Sequence, residues 1–131
     1  MNAIYWREYC DPDQTGERKG KFVIIEAPEH KTYMVCATYK TAEYHAEIVA
    51  RFLKEQGIYA FILVPTGESC QVYEKGWSVA GGGHYCFHRE AKTLELKGNS
   101  IAYGGVDFNR LVTMLTLPEI SILVSNSGNR R

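Results

Sequence analysis

Two strongly apolar segments follow one another early in the chain and limit the folds open to it. The first is KFVIIEA at 21–27, and the second, after a polar turn, is TYMVCAT at 32–38. Both are rich in residues that favour strands, and the first lacks the apolar-polar alternation of a strand with one solvated face. Strands that are apolar on both faces need cover on both sides, so the sequence predicts a central sheet packed between helices.

The remaining segments alternate between helical and strand-like patterns. A helix is predicted at 41–56, where Ile48 and Phe52 belong to an apolar stripe at helical spacing, capped by Thr38 or Thr41. After it come a hairpin inserted at about 60–78, strands at 84–90 and 93–104, a second helix at 105–118 capped by Asp107 and ended by Pro118, and a last strand at 119–126. The predicted fold is a single α/β domain with a mixed, roughly six-stranded β-sheet flanked by two α-helices, plus the inserted β-hairpin.

The length and the net charge of the chain indicate the number of domains and the classes of partner. The 131 residues, 45% of them hydrophobic, fit one domain at 20–131, preceded by a polar, turn-rich arm at 1–19 that is predicted to be loosely ordered or packed at an edge. Fifteen basic residues balance fifteen acidic residues, so no nucleic-acid or membrane partner is expected. A monomer is predicted.

The cellular location is predicted from the N-terminus and the cysteines. The segment MNAIYWREYC lacks the features of a signal peptide, and no apolar run is long enough to span a bilayer. Four scattered cysteines without a CxxC pair indicate free thiols in a reducing compartment. The expectation is a soluble, cytoplasmic protein.

A histidine, His45, lies near the start of the first predicted helix. A strand that leads through a short loop into a helix leaves unpaired backbone N–H groups at the positive end of the helix dipole, where anions bind. An imidazole beside such an anion can move a proton near neutral pH. The alternative is a boundary histidine that only hydrogen-bonds to the preceding loop, and the pattern alone does not decide between the two.

A glycine-rich segment, GNSIAYGG at 98–105, is a second candidate for anion binding. Its glycines allow backbone amides to approach a ligand closely, although the same composition is also typical of a strand that ends in a turn.

Three blocks taken together resemble the protein histidine phosphatase (Janus/ocnus) family. They are GKFVIIEA, YKTAEYHAEI, and GNSIAYGG following GGG, and the resemblance extends over about 20–126. It implies a six-stranded mixed sheet with two helices, and a metal-independent, cofactor-free hydrolase that cleaves the P–N bond of phosphohistidine. The implied substrate is a phosphohistidine-containing protein or a small phosphoramidate.

The resemblance also assigns residues to a site. His45 matches the essential histidine, expected to act as a neutral base on the attacking water, and Lys21 matches a lysine that stabilises phosphoryl charge. Direct attack of His45 on phosphorus is the alternative. Five further residues are expected to bind phosphate through amides or side chains: Tyr44, Ala46, Ser100, Ala102 and His84.

Two departures from the family leave a second function open. Ala37 occupies the position where the family has a phosphate-binding arginine, and the inserted hairpin carries Tyr73 and Trp77 near the expected site. The alternative is therefore a non-catalytic, phosphate- or phosphopeptide-binding regulatory protein of the same fold.

The segment HYCFH at 84–88 allows two interpretations. In a strand, His84, Cys86 and His88 project to one face and offer soft or borderline metal ligands. The same alternation also fits a polar outer face with Tyr85 and Phe87 in the core. The second interpretation is adopted, so no metal is predicted.

Overall fold

A six-stranded mixed β-sheet forms the centre of the protein in the computed structural model, which describes residues 3–11, 16–117 and 119–125. The elements in chain order are β1 (Ile4–Tyr9), β2 (Glu17–Ala27), β3 (Lys31–Thr38), α1 (His45–Glu55), β4 (Phe61–Leu63), β5 (Cys70–Val72), β6 (Ser78–His88), β7 (Thr93–Lys97), α2 (Phe108–Met114) and β8 (Ser121–Ser125). The sheet order is β1-β3-β2-β6-β7-β8, with parallel pairs at both edges and antiparallel pairs between them. The predicted α/β architecture is confirmed.

Each face of the sheet has its own apolar core. Alternate residues of β2 and β3 point to opposite faces, so Val23 and Val35 pack under α1 with Phe52, whereas Phe22 and Met34 lie on the side of α2. All five side chains are buried. Burial on both faces explains why these strands read as continuous apolar runs.

The N-terminal arm contains a strand that the sequence analysis did not predict. Strand β1 pairs in parallel with β3 along its whole length, and β2 starts at Glu17 rather than at residue 21. Arg18 donates two hydrogen bonds of 2.8 Å to the carboxylate of Glu8, and Tyr85 Oη donates a third of 2.7 Å. The partly buried charges of Arg18 and Glu8 therefore pair with each other across the sheet. The polar composition of the segment did not indicate this pairing.

The triple glycine lies inside strand β6 and does not precede it. A Cβ atom on Gly82 would stand 2.6 Å from the backbone oxygen of Phe22 and 2.9 Å from Cδ2 of His45. Residues 81–83 are therefore glycines because neighbouring groups occupy the space of a side chain, although glycine normally weakens a strand. The strand predicted at 84–90 is only the second half of the observed one.

The inserted hairpin predicted at about 60–78 is present, with two short strands, β4 and β5. Strands β4 and β5 form a separate two-stranded sheet, and Ile62 is 58% exposed because one side of the hairpin faces solvent. The other side packs against the α1 core through Phe61 and Val72. The hairpin thus covers one flank of α1.

The C-terminal elements follow the prediction with shorter bounds. Strand β7 ends at Lys97, before Gly98, which has a positive φ of 75°. Helix α2 is capped as predicted, since the Asp107 carboxylate accepts from the backbone N–H groups of Asn109 and Arg110. The predicted role of Pro118 lies outside the described residues.

Candidate functional site

Helix α1 begins at His45, four residues later than predicted, and its N-cap is Tyr44 instead of a threonine. The carboxylate of Glu47 accepts hydrogen bonds of 2.8 Å from the backbone N–H groups of Glu43 and Tyr44. The Tyr44 amide, which was predicted to bind phosphate, therefore already has a partner. The N–H groups of His45 and Ala46 are the first two of the helix, and helix geometry gives them no carbonyl acceptor within it.

The His45 side chain is inserted between the helix and strand β6. It is only 7% exposed, and its Nε2 lies 2.8 Å from the carbonyl oxygen of Gly83. A carbonyl can only accept, so Nε2 carries the proton and Nδ1 keeps a free lone pair. The pKa of His45 is lowered to about 4, chiefly by burial; the Gly83 hydrogen bond opposes the shift, and the nearby Lys21 and His84 add to it. At neutral pH the imidazole is therefore uncharged.

Lys21 and His84 lie side by side on the same face of the sheet as His45. The register places Lys21 opposite Ala37 on β3 and opposite His84 on β6, and His84 opposite Lys97 on β7. The Lys21 ammonium donates to the carbonyl oxygen of Glu43 at 2.5 Å, in the loop that leads into α1. A lysine on a central strand is thus directed to the start of the helix.

His84 lies between Lys21 and Lys97 across the sheet and also contacts His45. Its ring centroid lies 5.7 Å from that of His45 in an edge-to-face arrangement, and its Nδ1 is 2.9 Å from Tyr39 Oη. Burial lowers the pKa of His84, and the positive charges of Lys21 and Lys97 act in the same direction. Two imidazoles and an ammonium therefore meet at the start of one helix.

A cavity of about 420 Å³ opens over these groups, which is large enough for a phosphoryl group and part of the molecule that carries it. Its lining contains five of the seven residues predicted for the site. They are Lys21, Tyr44, His45, His84 and Ala102. Of the other four lining residues, Asn99 and Ile101 belong to the glycine-rich segment proposed for anion binding, whereas Glu68 and Ser69 were not predicted.

Two residues predicted to bind phosphate do not line the cavity. Ala46, whose backbone amide was predicted to bind phosphate, is fully buried in the α1 core. Ser100 is also buried, and its Oγ accepts a hydrogen bond of 3.2 Å from the N–H of Tyr103 inside its own loop. The Ser100 side chain therefore shapes the loop, while its neighbours Asn99 and Ile101 reach the cavity.

The inserted hairpin reaches the cavity through its turn and not through its aromatic residues. Glu68 and Ser69 line the cavity, whereas Trp77 packs against the α1 core and Tyr73 Oη bonds to Gln71. Tyr103 Oη donates to the carbonyl oxygen of Cys70 at 2.9 Å, which ties the glycine-rich loop to the hairpin. The sequence predicted the hairpin, but no local pattern indicated where its turn, PTGES at 65–69, would pack.

Ala37, which stands where the resemblance to the histidine phosphatases implies an arginine, lies in the core. Ala37 is 1% exposed and packs with the residues under α1, directly across the strand pair from Lys21. It supplies no cation to the cavity, and the hairpin contributes a carboxylate, Glu68, to the lining. The site therefore has less positive charge than an arginine at position 37 would give it.

The arrangement can hold an anion and move a proton. The Lys21 ammonium and the His45 amide, the first of α1, are donors suited to phosphoryl oxygens. The His45 imidazole has its Nε2–H fixed on a backbone carbonyl, which leaves Nδ1 as an acceptor. These are the parts needed for transfer of a phosphoryl group to water.

No model of a known protein family matches the chain, and no curated protein matches it. Within residues 3–11, 16–117 and 119–125, no helix has both the length and the apolar composition needed to cross a membrane.

Proposed function

We propose that this protein is a phosphohistidine phosphatase that hydrolyses the P–N bond without a metal at the reacting phosphorus. The observation that carries the proposal is the common cavity of three groups: the neutral imidazole of His45, the ammonium of Lys21, and the start of α1 at His45. The resemblance of the sequence blocks to the histidine phosphatase family supports the same assignment. A protein side chain or a small phosphoramidate is the substrate class.

The proposed reaction is a direct displacement by water. The phosphoryl oxygens bind to Lys21 Nζ and to the N–H group of His45, which holds phosphorus near the imidazole. As water oxygen bonds to phosphorus, Nδ1 of His45 takes a proton from the water, and the P–N bond breaks. The leaving imidazole departs in its neutral form if it was protonated beforehand, and inorganic phosphate is released.

The low pKa of His45 fits a base that must be free of protons before the substrate arrives. A pKa of about 4 keeps the imidazole unprotonated throughout the physiological range, but it also makes the free side chain a weak base. A bound phosphoryl group brings negative charge close to the ring, and a nearby negative charge raises an imidazole pKa. Substrate binding would therefore strengthen the base at the moment when it is needed.

A second function, a non-catalytic reader of phosphorylated peptides, is favoured by one feature of the cavity. Ala37 gives no bidentate contact to phosphate, so the cavity has one cation fewer to stabilise the charge of a phosphoryl group during transfer. In a reader, the imidazole of His45 would orient the bound phosphate, and the P–N bond would remain intact.

The experiment that tests the proposal measures phosphate release from a phosphohistidine protein in the presence of a chelator. His45→Asn is compared with the wild type and with His30→Asn, a matched change of an exposed histidine in the turn between β2 and β3. Loss of a general base costs about 10²- to 10⁴-fold in rate, so His45→Asn is expected to lose at least that lower factor while His30→Asn releases phosphate normally.

The outcomes separate the two functions. Equal release by the wild type and by His45→Asn would remove His45 from the mechanism. Absence of release from every variant, together with protection of phosphohistidine by the wild type, would establish the reader.

We also propose a cytoplasmic location. The four cysteines are free thiols, two of them buried, which suits a reducing compartment.

A further inference from the structure

A second group of side chains with metal-binding donors lies on the same sheet face, outside the cavity of His45. Strand β2 contributes Glu17, β6 contributes Cys86 and His88, and β7 contributes Glu95. The register places Glu17 directly opposite His88, and Cys86 directly opposite Glu95. Opposed residues of antiparallel strands project to one face, so two adjacent cross-strand pairs bring four donors together.

The donor atoms are already close to one another. Cys86 Sγ lies 3.3 Å from His88 Nε2, and His88 Nε2 lies 2.7 Å from a carboxylate oxygen of Glu95. On the other side of the ring, His88 Nδ1 lies 3.3 Å from a carboxylate oxygen of Glu17. One donor atom each from Glu17, Cys86 and His88 falls within 4.8 Å of the others. Ligands about 2.0–2.3 Å from a tetrahedral ion are separated by distances of this order, so small side-chain rotations would suffice.

The group is accessible and rigidly supported. It borders a second cavity of about 330 Å³, whose lining also includes Lys19, Tyr39 and His84. The backbone that carries the donors belongs to three hydrogen-bonded strands, and sites on such elements hold their geometry better than sites on loops. An ion could enter from solvent without any change in the sheet.

We propose that Glu17, Cys86 and His88 bind a single Zn²⁺ ion, with Glu95 as the outer partner that orients the imidazole. A thiolate, an imidazole and a carboxylate are the three donor types that zinc takes in proteins. Glu95 contacts one ring nitrogen of His88 and Glu17 contacts the other, which reproduces the usual pairing of a ligand histidine with an outer carboxylate. A fourth position stays open to water.

The donor set differs from the one that the sequence had offered. His84 lies on the same face as Cys86 and His88, but it bonds to Tyr39 and faces His45. The two carboxylates from neighbouring strands could not be recognised before the register was known. The proposal differs from the sequence prediction that no metal binds, and it does not depend on the phosphatase proposal.

The test titrates the chelator-treated, dialysed protein with ZnCl₂ and, as a spectroscopic substitute, with CoCl₂. One ion per chain is expected, and Co²⁺ should give a thiolate-to-metal charge-transfer band with the intense visible absorption of a tetrahedral site. Cys86→Ser should abolish the charge-transfer band, and His88→Gln should weaken zinc affinity at least tenfold. Glu95→Gln should weaken it about 10- to 100-fold, as expected for an outer partner.

Matched variants control for other thiols and histidines. Cys10→Ser, His30→Asn and His84→Gln should bind one ion with wild-type affinity. A zinc-dependent rise in melting temperature should occur in the wild type and disappear in His88→Gln. Absence of saturable one-to-one binding by the wild type, or a charge-transfer band that survives Cys86→Ser, would overturn the proposal and leave the cluster as ion pairs of His88.

Discussion

At the scale of single residues, His45 shows how two neighbours decide the chemistry of an imidazole. The carbonyl oxygen of Gly83 fixes which nitrogen carries the proton, and burial between α1 and β6 keeps the ring uncharged. The sequence indicated the position of His45 in the first turn, where the structure places it. It could not indicate the tautomer or the lowered pKa, since both depend on a strand 38 residues away.

The lowered pKa makes the contribution of His45 to stability depend on pH. The ordinary pKa of 6.5 applies to the unfolded chain and about 4 to the folded protein, so between these values the unfolded state binds more protons. The free energy of unfolding should therefore fall as pH decreases from about 6.5 to about 4, by about 3 kcal/mol in total. Urea denaturation of wild type and His45→Asn at several pH values measures this difference.

The comparison with His45→Asn isolates the contribution of one group, because the other titrating groups are common to both proteins. The stability difference between the two should shrink in the acidic range. A difference that stays constant from pH 7.5 to pH 4 would show that His45 titrates normally in the folded state.

At the scale of elements, strand β6 is where sequence reasoning and structure differ most. The apolar strands β2 and β3 and the capped helix α2 were predictable because local composition and packing agree there. The first half of β6 was not, because glycine is disfavoured in strands and the reason for it lies in contacts with β2 and α1. The cavity residues of the hairpin turn, Glu68 and Ser69, were not predicted either, because their position also depends on contacts with distant parts of the chain.

Gly82→Ala should disrupt the site through β6. The added Cβ would meet the backbone oxygen of Phe22 at 2.6 Å and His45 Cδ2 at 2.9 Å, and the backbone oxygen cannot rotate away. We expect a loss of about 1–3 kcal/mol in the free energy of unfolding, with phosphate binding weakened as His45 moves. Chemical denaturation and phosphate titration measure the two effects.

Gly105→Ala is the matched control for this substitution. A Cβ at that position would have its nearest contact at 3.8 Å, with Cβ of Asn99, which is an ordinary van der Waals distance. Its stability should stay near that of the wild type. Equal behaviour of the two alanine variants would contradict the packing assigned to Gly82.

At the scale of the whole molecule, strand β1 joins parts of the chain that are far apart in sequence. Ile4 packs in the α2 core, and its carbonyl oxygen accepts a hydrogen bond of 2.8 Å from the N–H of Thr116. Arg7 bonds to Glu55 near the end of α1, with one contact of 2.9 Å. The segment predicted to be an arm therefore contacts both helical layers.

Ile4→Ala should destabilise the protein by about 2–5 kcal/mol, the usual range for truncation of a fully buried isoleucine. Tyr5→Ala, at the neighbouring position, is the control, since Tyr5 is 45% exposed and should cost clearly less. Thermal denaturation of both variants measures the difference. If both changes were neutral, β1 would behave as an arm outside the cooperative fold.

The pairing of β2 with β6 at the centre of the sheet has a consequence for folding. The hairpins β2-β3 and β6-β7 are local and can form early, whereas the central pair must close a long loop that contains α1 and the inserted hairpin. Until β6 docks, His45 lacks its carbonyl partner and lies in a solvated helix with an ordinary imidazole. The environment that lowers the pKa of His45 would then arise only when β6 docks, so in a partly folded chain this histidine would titrate as it does in the unfolded state.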